Sequence, residues 1–403
     1  MREFSRCSIL EPAPSMRIGF LFNHDQVHQV AHSLPIALAL ARRGCDAEII
    51  IAITSAKIGD EVLRLAGGAL PNGITLNQLG LTSWSSRLLS GALGRFIPAA
   101  KLLIYRDNLD FFHSLDALIV TERTSLILKT RYGLSRLMMI LSDHGAGDRA
   151  IGFGRSTAQF DHILAAGQKI ADRLIAEAGV HPDQITITGY PKFDLAPPPP
   201  PKLKFSGNGK PIVLYNPHVS PHLSSWYKSG RAVLDFFLDN PEYNLIFAPH
   251  IMMFTRRAVV TIDRLRIDFP GQLDPKYVAA PNIHVDVDSA ALTDMSYTNV
   301  ADIYLGDVSS QIYEFLKSPR PCAFLNSHAI DWAGDANYAH WQAGPVTTSP
   351  TELGPALARA VDSHAKHYKA IQARLFAYTF DLTNEPSASR SAKAILNLLK
   401  DRV

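Results

Sequence analysis

Residues 301–316 read Ala301-Asp302-Ile303-Tyr304-Leu305-Gly306-Asp307-Val308-Ser309-Ser310-Gln311-Ile312-Tyr313-Glu314-Phe315-Leu316. The first half has the apolar run of a short buried strand, and the second half opens an amphipathic helix. Between them stand a glycine, a carboxylate and two adjacent hydroxyls. A serine N-cap accepts a hydrogen bond from an otherwise unpaired amide of the first helical turn. The free amides and the helix dipole also make such a start a natural place for phosphate. Glu314, at i+4 from Ser310, would reach a sugar hydroxyl of the same ligand. A capped helix without a ligand fits these residues equally well, so the rest of the chain has to decide.

Working outward, strand patterns recur at Arg17–Phe22, Cys45–Ala52, Leu118–Val120, Leu137–Leu141, His162–Ala166 and Ile185–Thr188, with a helical stretch from about Val27 to Arg43. A polyproline run, Pro197 to Pro201, and a flexible Ser206-Gly207-Asn208-Gly209 then mark a boundary. Beyond it the alternation restarts at Pro211–Asn216, Tyr243–Ala248, Ile283–Asp286, the strand before Asp307, and Pro321–Leu325, with a final helix over Ser387–Leu399. Strands alternating with helices predict α/β structure with mostly parallel sheets covered on both faces. The expected organisation is a Rossmann-like domain over 16–195, a Pro/Gly-rich linker over 196–210 and a second Rossmann-like domain over 211–403. The last helix has room to pack back toward the first domain. The cleft between the strand carboxyl ends is where such sheets bind ligands.

Bulk properties narrow the class. A chain of 403 residues exceeds the usual single core. With 40 basic against 37 acidic residues the net charge is only +3, which argues against a nucleic-acid partner. Cys7, Cys45 and Cys322 have neither disulfide nor zinc spacing and fit a reducing cytoplasm. Residues 1–15 lack the apolar core of a signal peptide and read as a segment ahead of the native fold. No apolar run reaches the roughly 20 residues needed to span a bilayer. Arg87 to Arg106 mixes leucines with Arg87, Arg95, Lys101 and Arg106. It fits either a basic surface touching anionic lipid or a core-facing helix pair with solvated charges.

Polar clusters stand at the predicted strand ends. Ser142-Asp143-His144-Gly145-Ala146-Gly147 offers a histidine with a pKa suited to general base work, or a surface loop histidine. Gly189-Tyr190-Pro191-Lys192-Phe193-Asp194 reads chiefly as a turn. Asn216-Pro217-His218 and Ala248-Pro249-His250 each put a histidine where a phosphate would accept its hydrogen bond. Asp286 and Asp288, at i and i+2, are carboxylates of a solvated strand end rather than a metal pair. His32, His328 and His340 have no evident partners in the sequence. No metal or cofactor motif follows any strand.

Taken in order, His144-Gly145, Gly189 to Asp194, Tyr215 to His218, Phe247 to His250 and Asp307 to Ser310 resemble the CDP-glycerol glycerophosphotransferase family, the builders of teichoic-acid-like polymers. Ser387-Ala388-Ser389-Arg390 before the last helix is similar too. The resemblance spans roughly residues 140–395. It implies the glycosyltransferase B (GT-B) architecture, with an N-terminal acceptor domain, a C-terminal nucleotide-donor domain and no cofactor. It also implies that His144 takes the proton of an acceptor hydroxyl. His250, Ser309, Ser310 and the Gly306-Asp307 turn would handle the donor pyrophosphate, with Glu314, Asn216, His218 and Gly189 as candidates for the nucleotide and its ribose. The partners implied are a nucleotide-linked donor and a glycan or lipid-linked acceptor, met by a cytoplasmic protein with room for peripheral membrane contact. Two departures stand out. Ala146-Gly147-Asp148-Arg149 replaces the family's Thr-Pro-x-Lys after His-Gly, and Ile251 replaces Pro after the strand-end histidine. A nucleotide-sugar glycosyltransferase, a UDP-sugar 2-epimerase and a non-catalytic nucleotide-binding subunit are the competing readings.

Overall fold

The computed structural model describes residues 16–23, 27–44, 46–86, 88, 99–142, 145–255, 258–261 and 266–400. His144, most of the Arg87 to Arg106 stretch, residues 1–15, Cys7 and Cys45 lie outside the described residues.

Runs of β-branched and aliphatic residues form two parallel sheets, as expected of strands buried on both faces. The first contains β1 (Met16–Phe22), β2 (Ala47–Ile53), β3 (Ile74–Gln78), β4 (Ala117–Val120), β5 (Met138–Ser142), β6 (His162–Ala165) and β7 (Ile185–Ile187), in the order β3-β2-β1-β4-β5-β6-β7. The second contains β8 (Ile212–Asn216), β9 (Asn244–Phe247), β12 (Ile283–Val285), β13 (Ile303–Gly306), β14 (Cys322–Leu325) and β15 (Val346–Thr347), in the order β12-β9-β8-β13-β14-β15. A separate antiparallel ribbon pairs β10 (Val259–Thr261) with β11 (Arg266–Asp268). The strand order of each sheet reverses beside its first strand, β1 against β4 and β8 against β13. This is the doubly wound topology, whose ligand crevice lies at that reversal.

Four strands were not predicted, the ribbon pair β10 and β11 among them. β3 is an edge strand with exposed and half-buried residues throughout, so it lacks an apolar signal. β15 has only two residues. The 196–210 segment is less free than its composition predicts. Phe205 is buried, and the side chains of Asn208 and Asn244 exchange hydrogen bonds at 2.7 and 2.9 Å. In the Arg87 to Arg106 stretch, the described end packs inward. Ile104 and Tyr105 are buried, Lys101 pairs with Glu122, and Arg106 bonds Ser86.

The final helix, Ser387–Lys400, crosses to the first sheet. Ala392, Ile395 and Leu399 enter the core that holds Leu34 and Leu38 of the Val30–Arg42 helix. The Gly189 to Asp194 turn grips the start of this helix. Ser387 Oγ accepts the Tyr190 amide at 3.0 Å, and the Asp194 carboxylate accepts the Ala388 amide at 2.6 Å. Gly189 has φ +88°, and a Cβ there would lie 2.3 Å from Ser387 Oγ. Packing against Ser387 and the positive φ are by themselves enough to require glycine here.

Candidate active site

Between the carboxyl ends of the two sheets lies a cavity of about 420 Å³. The first half contributes the start of the Val27 to Arg42 helical segment, the Gly145–Arg149 loop and Tyr190 and Lys192. The second half contributes His218, His250 and the segment from Val308 to Glu314. Of the residues predicted from the sequence, His218, His250, Ser309, Ser310 and Glu314 meet here. Asp307, Asn216 and Gly189 do not line this cavity.

Asp307 is 1% exposed, and its carboxylate accepts the His218 amide at 2.9 Å, the Ser225 amide at 2.6 Å, the Ser225 hydroxyl at 2.8 Å and its neighbour Val308 amide at 2.6 Å. Burial pushes its pKa up despite these donors. A carboxylate saturated in this way has nothing to offer a phosphate. Its effect is to fix the loops after β8 and β13 side by side.

Asn216 is fully buried. Its amide donates to the Ala248 carbonyl at 2.6 Å, and its oxygen accepts the Ser309 hydroxyl at 2.6 Å and the Tyr304 hydroxyl at 3.3 Å. Ser309 has one hydroxyl proton, and Asn216 receives it. Its neighbour Ser310 is exposed, lines the same cavity and caps no amide. The helix itself is shorter than the sequence suggests. Gln311–Phe315 is a single turn of five residues, so its summed dipole is correspondingly small.

The electrostatics centre on a residue that motif reading passed over as a departure. Arg149 Nη1 lies 2.8 Å from His218 Nε2, while His218 Nδ1 accepts the Ser220 amide at 2.9 Å. A neutral His218 with Nδ1 accepting carries its proton on Nε2. That N–H and the Arg149 guanidinium stand together on the cavity wall, where an anionic oxygen would meet both. The His250 ring lies 5.8 Å from His218, and its Nδ1 accepts the Met252 amide at 3.2 Å. Burial and the Arg149 guanidinium push His250 down to about 4. The same two causes, with His250 and His222 added, hold His218 well below its ordinary value. The wall is thus rich in donors and positive potential.

On the other wall Glu314 is 8% exposed and paired with Lys192 Nζ at 2.6 Å, with Tyr190 OH at 3.2 Å. This ion pair joins the two halves and neutralises the carboxylate read as a ribose ligand. His32 also lines the cavity and meets the Tyr190 ring edge-on at 5.4 Å, a neighbour not evident in the sequence. Asp286 is engaged by Tyr297 OH at 2.7 Å and the Asp288 and Ser289 amides, as a solvated strand end does not require.

No protein-family model matches the sequence, and no curated protein does. Solved structures do match. The wall teichoic acid polymerase TagF is similar with a TM-score of 0.59 at 13% identity, over 97% of this chain and 90% of that one. The UDP-GlcNAc 2-epimerase from Neisseria meningitidis bound to UDP-GlcNAc matches with a TM-score of 0.53 at 14% identity, over 96% and 99%. The glycotransferase of kitacinnamycin matches with a TM-score of 0.53 at 13% identity, over the same shares. The polymerase bears out the fold implied by the sequence resemblance: two Rossmann-like units of the GT-B type with a cleft between them.

Proposed function

We propose that the protein is a GT-B transferase that moves glycerol-phosphate, or a sugar, from a nucleotide diphosphate-linked donor such as CDP-glycerol to a hydroxyl of a cell-envelope glycan or lipid-linked acceptor. The observation that carries this reading is the meeting of the Arg149 guanidinium with His218 on one cavity wall, with His250 and Ser310 on the same cavity. A pyrophosphate matches the charge of that wall, and preorganised donors of this kind supply the charge stabilisation that dominates such transfers. Acceptor oxygen attacks the β-phosphorus of the donor, or the sugar C1, while the bond to the nucleotide leaving group breaks.

His144 takes the acceptor proton in this scheme, supported by its chain neighbour Gly145 lining the cavity. Residues 16–195 form the acceptor side and 211–403 the donor side. Glu314 reaches the ribose once Lys192 is displaced from it. We place the protein in the cytoplasm. The exposed Trp84 and Leu88 support peripheral contact with a membrane carrying the acceptor.

The test is a thermal-shift series with CDP-glycerol, CDP, UDP, GDP and common nucleotide sugars, followed by product analysis. A cytidine-specific shift with a phosphodiester product supports glycerophosphotransfer, and a uridine or guanosine preference with a glycoside product selects the sugar transferase. No shift with any of them would refute a donor site here. Glu314 on the cavity wall favours one second reading, a nucleotide-sugar epimerase, whose product would be an epimerised sugar.

A further inference from the structure

One corner of the cavity has no part in the phosphate contacts described above. Ile251 and Met252 follow His250 in the chain, Gln311 follows Ser310, and all three line the cavity together with Thr293. Ile251 and Met252 are half-buried and apolar, so they suit a flat uncharged ring better than a phosphate. Gln311 brings a carboxamide to the same corner, and its Nε2 donates to the Leu292 carbonyl at 2.7 Å. A carbonyl only accepts, so this bond fixes which end of the carboxamide is nitrogen. No described residue donates to Gln311 Oε1, and one Nε2 proton is left after Leu292 takes the other. The Leu292 carbonyl is itself anchored. Leu292 is buried, Ser289 Oγ accepts the Ala291 amide at 3.1 Å, and the Asp286 carboxylate accepts the Ser289 amide at 3.0 Å and Tyr297 OH at 2.7 Å.

We infer that this corner holds the nucleobase and that Gln311 determines which base is taken, an assignment that rests on the nucleotide-linked donor proposed above. A carboxamide that offers one acceptor and one spare N–H reads the edge of a base by pairing with an N–H and its neighbouring acceptor. The Leu292 carbonyl sets the order of oxygen and nitrogen, and a base whose donor and acceptor stand in the opposite order meets like groups. Such mismatches are costly because they leave polar groups unpaired in a closed site. The phosphate-facing and base-facing groups are consecutive residues, His250 with Ile251 and Ser310 with Gln311. A nucleoside diphosphate held by the first of each pair is thereby brought against the second.

Calorimetric titration of the full-length protein with CDP, UDP, ADP, GDP and inorganic pyrophosphate provides the test. The wild type is expected to bind its preferred nucleotide about tenfold or more tightly than the least favoured one. Gln311→Leu is expected to weaken the preferred nucleotide about tenfold and to shrink the spread among the four to about threefold or less, as loss of one or two base hydrogen bonds requires. Pyrophosphate, which has no base, should stay within about twofold of wild type. Met252→Ala keeps the main-chain amide that His250 Nδ1 accepts and removes an apolar wall. It should weaken nucleotides and spare pyrophosphate, so the corner is still tested if Gln311→Leu does not fold. Ser310→Ala, by contrast, should weaken pyrophosphate and nucleotides alike. A Gln311→Leu protein that keeps the wild-type ranking, or loses pyrophosphate as strongly as nucleotide, would overturn the assignment, as would a wild type that does not distinguish the four bases. Wild-type protein that binds none of the five would refute the donor reading itself, and the base corner with it.

Discussion

Ser309 and Ser310 are chemically identical neighbours, and the fold assigns them opposite work. Ser310→Ala removes the cavity-lining hydroxyl of the pair that Asn216 does not engage. Loss of a single hydrogen bond to a charged phosphate oxygen costs about 1.5–3 kcal/mol. That is roughly a 10- to 150-fold rise in the donor Kd. Because the hydroxyl caps nothing in the chain, the melting temperature of the unliganded protein should stay within about 1 °C of wild type. Ser309→Ala does the reverse. It leaves the buried Asn216 oxygen with only the Tyr304 hydroxyl at 3.3 Å. Under-satisfying that acceptor costs about 1–2 kcal/mol of stability. For a domain of this size the melting temperature should fall by about 3–6 °C, with donor affinity changing less than in Ser310→Ala. Differential scanning fluorimetry and calorimetric titration with CDP-glycerol or a nucleotide sugar read both quantities on the same samples. The reasoning fails if Ser310→Ala binds like wild type, or if Ser309→Ala weakens the donor equally while melting normally.

The remaining predictions concern charge and packing. His250, held at about 4, gains a proton more readily when an anion sits beside it. Affinity for a pyrophosphate diester should therefore strengthen as pH falls from 7 toward 5, with proton uptake visible as a buffer-dependent heat of binding; a flat profile would refute it. In the unliganded protein the unfolded chain takes the proton first, near 6.5, so stability should fall as pH drops from about 6.5 toward 4. Urea midpoints across that range would show it, and a rise would contradict the assignment. Asp307→Asn turns an amide NH2 toward donors that now meet carboxylate oxygens, and should cost on the order of 3 kcal/mol or more in urea unfolding. Gly344→Ala places a Cβ 1.9 Å from the Cys322 carbonyl oxygen, backbone against backbone. It should yield little folded protein, and a soluble variant melting near wild type would contradict the packing.

Much of this architecture was legible from local pattern. β1, β2, β4, β8 and β13 are continuous apolar runs, and the residues that follow them are polar. Because the strands are parallel and buried on both faces, these runs need no tertiary information to be recognised. The placement of His218, His250, Ser309 and Ser310 on the cavity was legible for the same reason, since the carboxyl end of a parallel strand faces the crevice. The hydrogen bonds of Asp307, Asn216 and Ser309 were not legible, because sequence position places them near the crevice without saying which way those bonds run. Arg149 looked like a lost motif, yet its guanidinium lines the cavity and lies 2.8 Å from His218.

The sequence by itself determined two α/β halves, the strand ends that face a cleft, and the residue types there, because periodicity and turn chemistry are local. The tertiary structure alone decided which of those residues remain available to a ligand. Asp307 is saturated by amides from segments up to 89 residues away, Glu314 by a lysine 122 residues away, and Asp148 by a histidine 192 residues away. A buried polar group is defined by the partner that desolvation forces on it, and that partner is known only once distant segments have come together.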